Sequence, residues 1–145
     1  MNVLVDTGVW SLAFRRKRPD EDSVIVRELK ELILEERAQI IGPIRQEVLC
    51  GIRHEAQFQR LRETLRAFPD LEVVHADYER AAEHFNRCRQ HGIQGSNTDF
   101  LICAVAERQE MPIFTTDLDF SLFTGHVPVR LHEARETLDQ GDGST

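Results

Sequence analysis

Short apolar runs alternate with helical patterns along the whole chain, and this alternation restricts the fold more than any other feature. The runs Asn2–Val5, Ala38–Ile41, Leu71–Val74, Ile113–Phe114 and Val127–Leu131 read as strands. Between them lie helical patterns. Thr7–Ala13 is short and is followed by a polar loop, Phe14–Asp22. Ser23 caps a segment to about Arg37 with Val24, Ile25, Leu29, Leu32 and Ile33 on one stripe. Ile44–Ile52 ends near a glycine, and Glu55–Phe68 is amphipathic and stops at Pro69. Asp77 caps a segment to about His91, closed by Gly92. Phe100–Ala106, in a helix running to about Gln109, is apolar all round, which predicts burial on most sides. His132–Leu138 reads as a last short helix. This order predicts an α/β domain with a mainly parallel sheet of about five strands. A chain of 145 residues suits one domain, taken as 1–139, with 140–145 as a disordered tail.

Where strands end in such a sheet, acids follow. Asp6 comes directly after the first strand and Asp117 shortly after the fourth, so both are expected at the carboxyl edge, where ligands bind in open α/β sheets. Asp99 lies in the first turn of the apolar helix, where the helix dipole favours a carboxylate. Glu47 sits in a helix that packs through Val48 and Leu49 and then stops. Each acid has an ordinary structural reading. Asp6 can cap a helix, Asp99 can complete a capping box with Ser96, and Asp117 and Asp119 can serve a turn. Together they suggest convergence, and converging carboxylates repel unless a cation lies among them. Oxygen-only ligands suit Mg²⁺ or Mn²⁺ better than zinc.

Other chemistries find little support. There is no phosphate-binding G-x-x-x-x-G-K-[ST] loop, no G-x-G-x-x-G and no G-x-S-x-G. The six histidines form no H-x-x-x-H pair. Cys50, Cys88 and Cys103 are odd in number and widely spaced, which points to buried free thiols in a reducing cytoplasm. No apolar run approaches the roughly 18 residues of a membrane span. Net charge is −7, which alone counts against a nucleic-acid binder. Yet Lys17 and Lys30 are the only lysines, so the basic side chains are nearly all arginines, which hold phosphates bidentately. Arg15, Arg16, Lys17 and Arg18 form the one basic run and are candidates for a clamp on a phosphate backbone, although Asp20–Asp22 partly neutralise them. Trp10 and Phe14 read as core residues, and Arg60, Arg62 and Arg66 as the wet face of their helix.

Four motifs in order resemble a known family. They are Val5-Asp6-Thr7 after the first strand, Glu47-Val48-Leu49-Cys50-Gly51 in a helix, Asp99 opening an apolar helix, and Thr115-Thr116-Asp117-Leu118-Asp119-Phe120. From Met1 to about Leu138 the chain resembles a PIN domain, and more narrowly the VapC-type toxins of toxin–antitoxin pairs. The resemblance implies a PIN-like three-layer fold and a Mg²⁺- or Mn²⁺-dependent endoribonuclease that hydrolyses RNA through a metal-activated water. It assigns Asp6, Glu47, Asp99 and Asp117 to the catalytic, metal-holding quartet, Thr7 and Thr115 to supporting hydroxyls, and Asp119 to a further acid of less settled role. It also implies a homodimer, a small antitoxin protein as partner and structured RNA as substrate. The alternatives are a housekeeping PIN nuclease for RNA processing or decay, and a metal- or RNA-binding module that does not cut.

Overall fold

The chain is described from a computed structural model, which covers residues 1–15 and 23–136. The elements are β1 (Val3–Val5), α1 (Thr7–Phe14), α2 (Val24–Leu34), β2 (Ala38–Ile41), α3 (Gly42–Leu49), α4 (Glu55–Leu65), β3 (Asp70–Leu71), α5 (His75–Gln90), α6 (Asn97–Gln109), β4 (Ile113–Phe114) and α7 (Asp119–Phe123). The strands form one sheet in the order β3-β2-β1-β4. Every pairing is parallel, with Val3 beside Ala38, Val5 beside Phe114, and Ile41 beside Leu71. Such a sheet is covered on both faces, which is why Val3, Leu4 and Val5 are all apolar and fully buried rather than alternating.

The helices follow from local chemistry. Pro43 sits in the first turn of α3, where a missing N–H costs nothing, so the helix begins at Gly42 rather than at Ile44. Trp10 of α1 donates from Nε1 to the carbonyl of Val5 at 3.0 Å and packs on Phe14 and Phe68, which seats α1 over the end of β1. In α6 every residue from Phe100 to Ala106 is buried, as the apolar pattern predicts. Gly95 lets that helix approach closely, because a Cβ there would lie 2.6 Å from Phe123 Cζ and 2.9 Å from Phe100 Cε2.

Five expectations need correction. The fifth strand, Val127–Leu131, reduces to a single parallel bridge between Leu131 and Ile113. Its partner β4 has only two residues, and Pro128 has no N–H to extend a ladder. Residues 132–136 are not helical. His132 Nε2 and Arg135 Nε both reach the carboxylate of Glu28 on α2, at 2.6 and 2.9 Å, and this long-range contact outweighs the local helical pattern. Asp77 is not the cap of α5 but a first-turn residue whose Oδ2 accepts from the Val74 N–H at 2.9 Å. β3 also starts one residue earlier and ends sooner than Leu71–Val74. Of the cysteines, all free, Cys88 and Cys103 are buried as expected while Cys50 is exposed. The tail at 140–145 and most of the loop 14–22 lie outside the described residues.

Candidate active site

The carboxyl ends of β1 and β4 are tied together before any side chain is considered. The Asp6 N–H donates to the Phe114 carbonyl at 2.9 Å, so the chain leaves both strands at one place. Asp6 is the N-cap of α1, with Oδ1 accepting from the Thr7 N–H at 2.8 Å. Its Oδ2 accepts from Thr115 Oγ1 at 2.8 Å, across 109 residues of sequence. The same Thr115 oxygen accepts from the Asp117 N–H at 2.9 Å. Asp117 Oδ1 in turn accepts from the Asp119 N–H at 2.9 Å. Thr7 Oγ1 donates to Glu47 Oε1 at 2.6 Å, linking the start of α1 to α3. The two threonines thus each hold one acid in place, Thr115 on Asp6 and Thr7 on Glu47.

Asp99 arrives on the apolar helix through a capping box. The Ser96 N–H donates to Asp99 Oδ2 at 2.9 Å, and the Asp99 N–H donates to Ser96 Oγ at 3.0 Å. The capping role and the site role are therefore both filled by one carboxylate. Asp6 is 7% exposed, Asp99 is half-buried, and Glu47, Asp117 and Asp119 are exposed.

Burial pushes the Asp6 carboxyl above its ordinary value. The bonds from Thr115 and Thr7 oppose that rise, and the nearby charges of Asp99 and Asp117 add to it. Burial also raises Asp99, against the pull of Ser96 and with help from Asp117 and Glu47. Asp6 thus lies in the field of Asp99 and Asp117, and Asp99 in that of Asp117 and Glu47. The buried thiol of Cys103, one turn beyond Asp99, is raised by burial and then by Asp99. No arginine or lysine among the described residues bonds to Asp6, Glu47, Asp99 or Asp117.

The donor set consists only of carboxylate and hydroxyl oxygens, which fits a hard divalent cation. As the side chains stand, no three His, Cys, Asp or Glu groups among the described residues are placed to hold an ion together. Each acid accepts from a hydroxyl or amide donor of the protein itself.

Comparison with family models matches residues 3–125 to the PIN domain. The chain belongs to the PIN-domain family. PIN domains are typically nucleases. Solved structures with the same fold include FitAcB from Neisseria gonorrhoeae, 23% identical over 91% of this chain and 97% of that one, with a TM-score of 0.66. VapBC2 from Rickettsia felis, bound to a DNA fragment from its promoter, is 17% identical over 91% and 98%, with a TM-score of 0.69. A toxin–antitoxin complex from Klebsiella pneumoniae is 22% identical over 90% and 100%, with a TM-score of 0.61. No curated protein sequence matches this chain. Among the described residues, no helix of this PIN domain is long and apolar enough to cross a membrane.

The acid motifs thus meet at the carboxyl edge of the PIN-domain sheet, while the expected basic clamp falls only partly within view. Arg15 closes α1, its N–H donating to the Ser11 carbonyl at 3.0 Å. Arg16, Lys17 and Arg18 lie outside the described residues. Asp119 takes part through its backbone N–H on Asp117. Sequence reasoning missed Gly8, where a Cβ would lie 2.9 Å from Thr116 Oγ1. A glycine one residue after an Asp-Thr pair was the available signal for that close approach.

Proposed function

We propose that this PIN domain is an endoribonuclease dependent on Mg²⁺ or Mn²⁺ and the toxin of a type II toxin–antitoxin pair, built from one domain over residues 1–139. The observation that carries the reading is a cluster of four acids with two members desolvated and no basic partner among the described residues. Carboxylates gathered at that cost need a cation, and RNA phosphates need one too. Asp6, Glu47, Asp99 and Asp117 would hold the ion. A divalent ion bound there supplies a positive centre for the scissile phosphate and a water of lowered pKa.

The protein's part is positioning. Thr115 holds Asp6 through Oδ2, and Asp6 stays in register with α1 through Oδ1. Thr7 steadies exposed Glu47, which otherwise has the freedom of a long side chain. The Asp119 N–H steadies Asp117. Groups that hold a metal-binding carboxylate by a hydrogen bond typically matter 10- to 100-fold for metal affinity or activity. Likeness in fold to chains from toxin–antitoxin complexes supports a small antitoxin as partner. The family resemblance supports a homodimer, and the free cysteines support a cytoplasmic location.

The test is cleavage of RNA by purified protein in Mg²⁺ or Mn²⁺, with and without EDTA, for wild type, Asp6→Ala and Asp99→Asn, with folding followed by circular dichroism. Loss of cutting in folded variants and in EDTA is expected. Undiminished cleavage by folded variants would remove the quartet, and cleavage that survives EDTA would remove the metal. A short reading frame for a small protein beside the gene separates a toxin from a housekeeping nuclease.

A further inference from the structure

A cavity of about 440 Å³ opens between α3, α5 and α6, lined by Pro43, Tyr78, Phe85, Asn86, Asn97 and Thr98 among others. No charged side chain among the described residues lines it, whereas a second cavity along α5 carries Arg80, Glu83 and Glu107. The apolar wall follows the period of α5. Tyr78 and Phe85 are two turns apart, about 10 Å along the helix, and the small Ala81 and Ala82 between them leave the space unfilled. Phe85 is fixed: its ring lies edge-on to Phe100 with centroids 5.6 Å apart, and the Arg89 guanidinium carbon sits 5.9 Å from its centroid. Tyr78 is 58% exposed and has no ring partner among the described residues.

The polar groups of the lining are free. The Asn86 and Asn97 amides and the Tyr78 and Thr98 hydroxyls bond to nothing among the described residues. Each amide can both donate and accept, and so can each hydroxyl. The cavity also adjoins the acids on two elements. Asn97 and Thr98 directly precede Asp99 in the first turn of α6. On α3, Pro43 stands one turn before Glu47, on the same side of the helix.

We propose that this cavity is a base-reading pocket, taking one unpaired adenine beside the scissile phosphate, stacked on Tyr78 and hydrogen-bonded along its edge by Asn86 and Asn97. The proposal rests on the nuclease reading above and adds to it the choice of sequence. A phosphate would need a cation in the lining; a nucleobase is flat, uncharged and edged with donors and acceptors. Proteins read bases splayed out of RNA by stacking them on an aromatic ring and bonding their exposed edges. The side-chain amide of asparagine matches the neighbouring N6 donor and N7 acceptor of adenine. A second copy of the chain could cover the apolar wall, but it would leave four polar groups seeking partners within one small cavity.

The experiment maps the cuts made in a short RNA of randomised sequence, in Mg²⁺ or Mn²⁺, by the wild type, Asn86→Ala, Asn97→Ala and Tyr78→Ala. All three positions are exposed, so the variants are expected to fold, which circular dichroism checks. The wild type should prefer adenine at one fixed position relative to the cut. Asn86→Ala and Asn97→Ala should each flatten that preference about tenfold. Tyr78→Ala should raise KM about tenfold, and Tyr78→Phe, which keeps the ring, should restore it. An RNA abasic at the preferred position should be cut less well by the wild type and be indifferent to Tyr78→Ala. If the wild type cuts with no base preference, or with one that survives both asparagine changes, the pocket proposal fails while cleavage keeps the nuclease reading standing. If Tyr78→Ala turns a dimer into a monomer by light scattering and the base preference persists, the face belongs to a second copy and the proposal is overturned. If the wild type cuts no RNA, the nuclease reading falls and the role of the pocket falls with it.

Discussion

Two groups of carboxylates in this PIN domain are treated in opposite ways. Away from the carboxyl edge of the sheet, on α2, α5 and α6, each buried or half-buried acid among the described residues has a cation. Glu28 accepts from His132 and Arg135, Asp77 accepts from Arg108 at 2.8 and 2.9 Å, and Glu107 accepts from Arg80 and from the buried His84. Burial raises their pKa values, but hydrogen bonds to these partners win, and all three end below the ordinary range. At the carboxyl edge of the sheet, Asp6 and Asp99 receive only hydroxyl and amide donors and have other acids as neighbours, and both end above it. Carboxylates of the first kind hold structure together. Those of the second kind repel one another, and the proposed nuclease reading gives them an ion to bind.

The largest effect that tests this contrast is on cutting. Asp6→Asn or Asp99→Asn should lower RNA cleavage by roughly 100-fold or more while leaving the melting temperature equal or higher, since a repelling charge has gone. A melting temperature that drops sharply would place these acids with the structural group. Glu28→Ala should do the reverse. It removes the shared acceptor of His132 and Arg135 and should cost about 2–4 kcal/mol in urea unfolding, with the half-exposed Arg135 keeping the value below that of a fully buried pair. Cleavage per folded molecule should be unchanged.

Third in size is the response to the ion. A divalent cation at about ten times its Kd should stabilise the wild type by about 1.4 kcal/mol and Asp6→Asn by much less, read as a shift in thermal unfolding. An equal shift in both would mean that the ion binds elsewhere. The smallest effect is in the pH profile, and the two groups carry opposite signs. With folded-state pKa values above the unfolded ones, Asp6 and Asp99 take up protons more readily in the native state, so their contribution falls as pH rises from the ordinary carboxylate range through the raised values. Glu28, Asp77 and Glu107 contribute stability that is present above the ordinary range and lost as pH falls through their lowered values. In metal-free buffer, Asp99→Asn should therefore flatten the decline above the carboxylate range and leave the acid limb in place, as measured by melting temperature against pH.

The positions of the candidate acids were legible in the sequence because they carry local signatures. Asp6 and Asp117 follow apolar runs, and Asp99 sits at the S-x-x-D spacing of a capping box that the structure contains. The strands and most helices were legible through periodicity. What failed was non-local or too short to leave a pattern. The last helix was read from local composition, yet Glu28, more than 100 residues upstream, holds that segment in another form. The fifth strand looked long enough by itself, but its neighbour β4 has two residues and offers little to pair with. Glu28, Asp77 and Glu107 carried no sign of their arginine partners, because each partner lies 27 or more residues away.

The sequence by itself determined an α/β domain, the order of its elements and which acids stand at strand and helix ends, since periodicity and capping are short-range properties of the chain. Only the tertiary structure decided which carboxylates receive a cation and which are left facing one another. That choice depends on distances between segments far apart in the chain, and the fields that separate a structural acid from one available to a metal act through space.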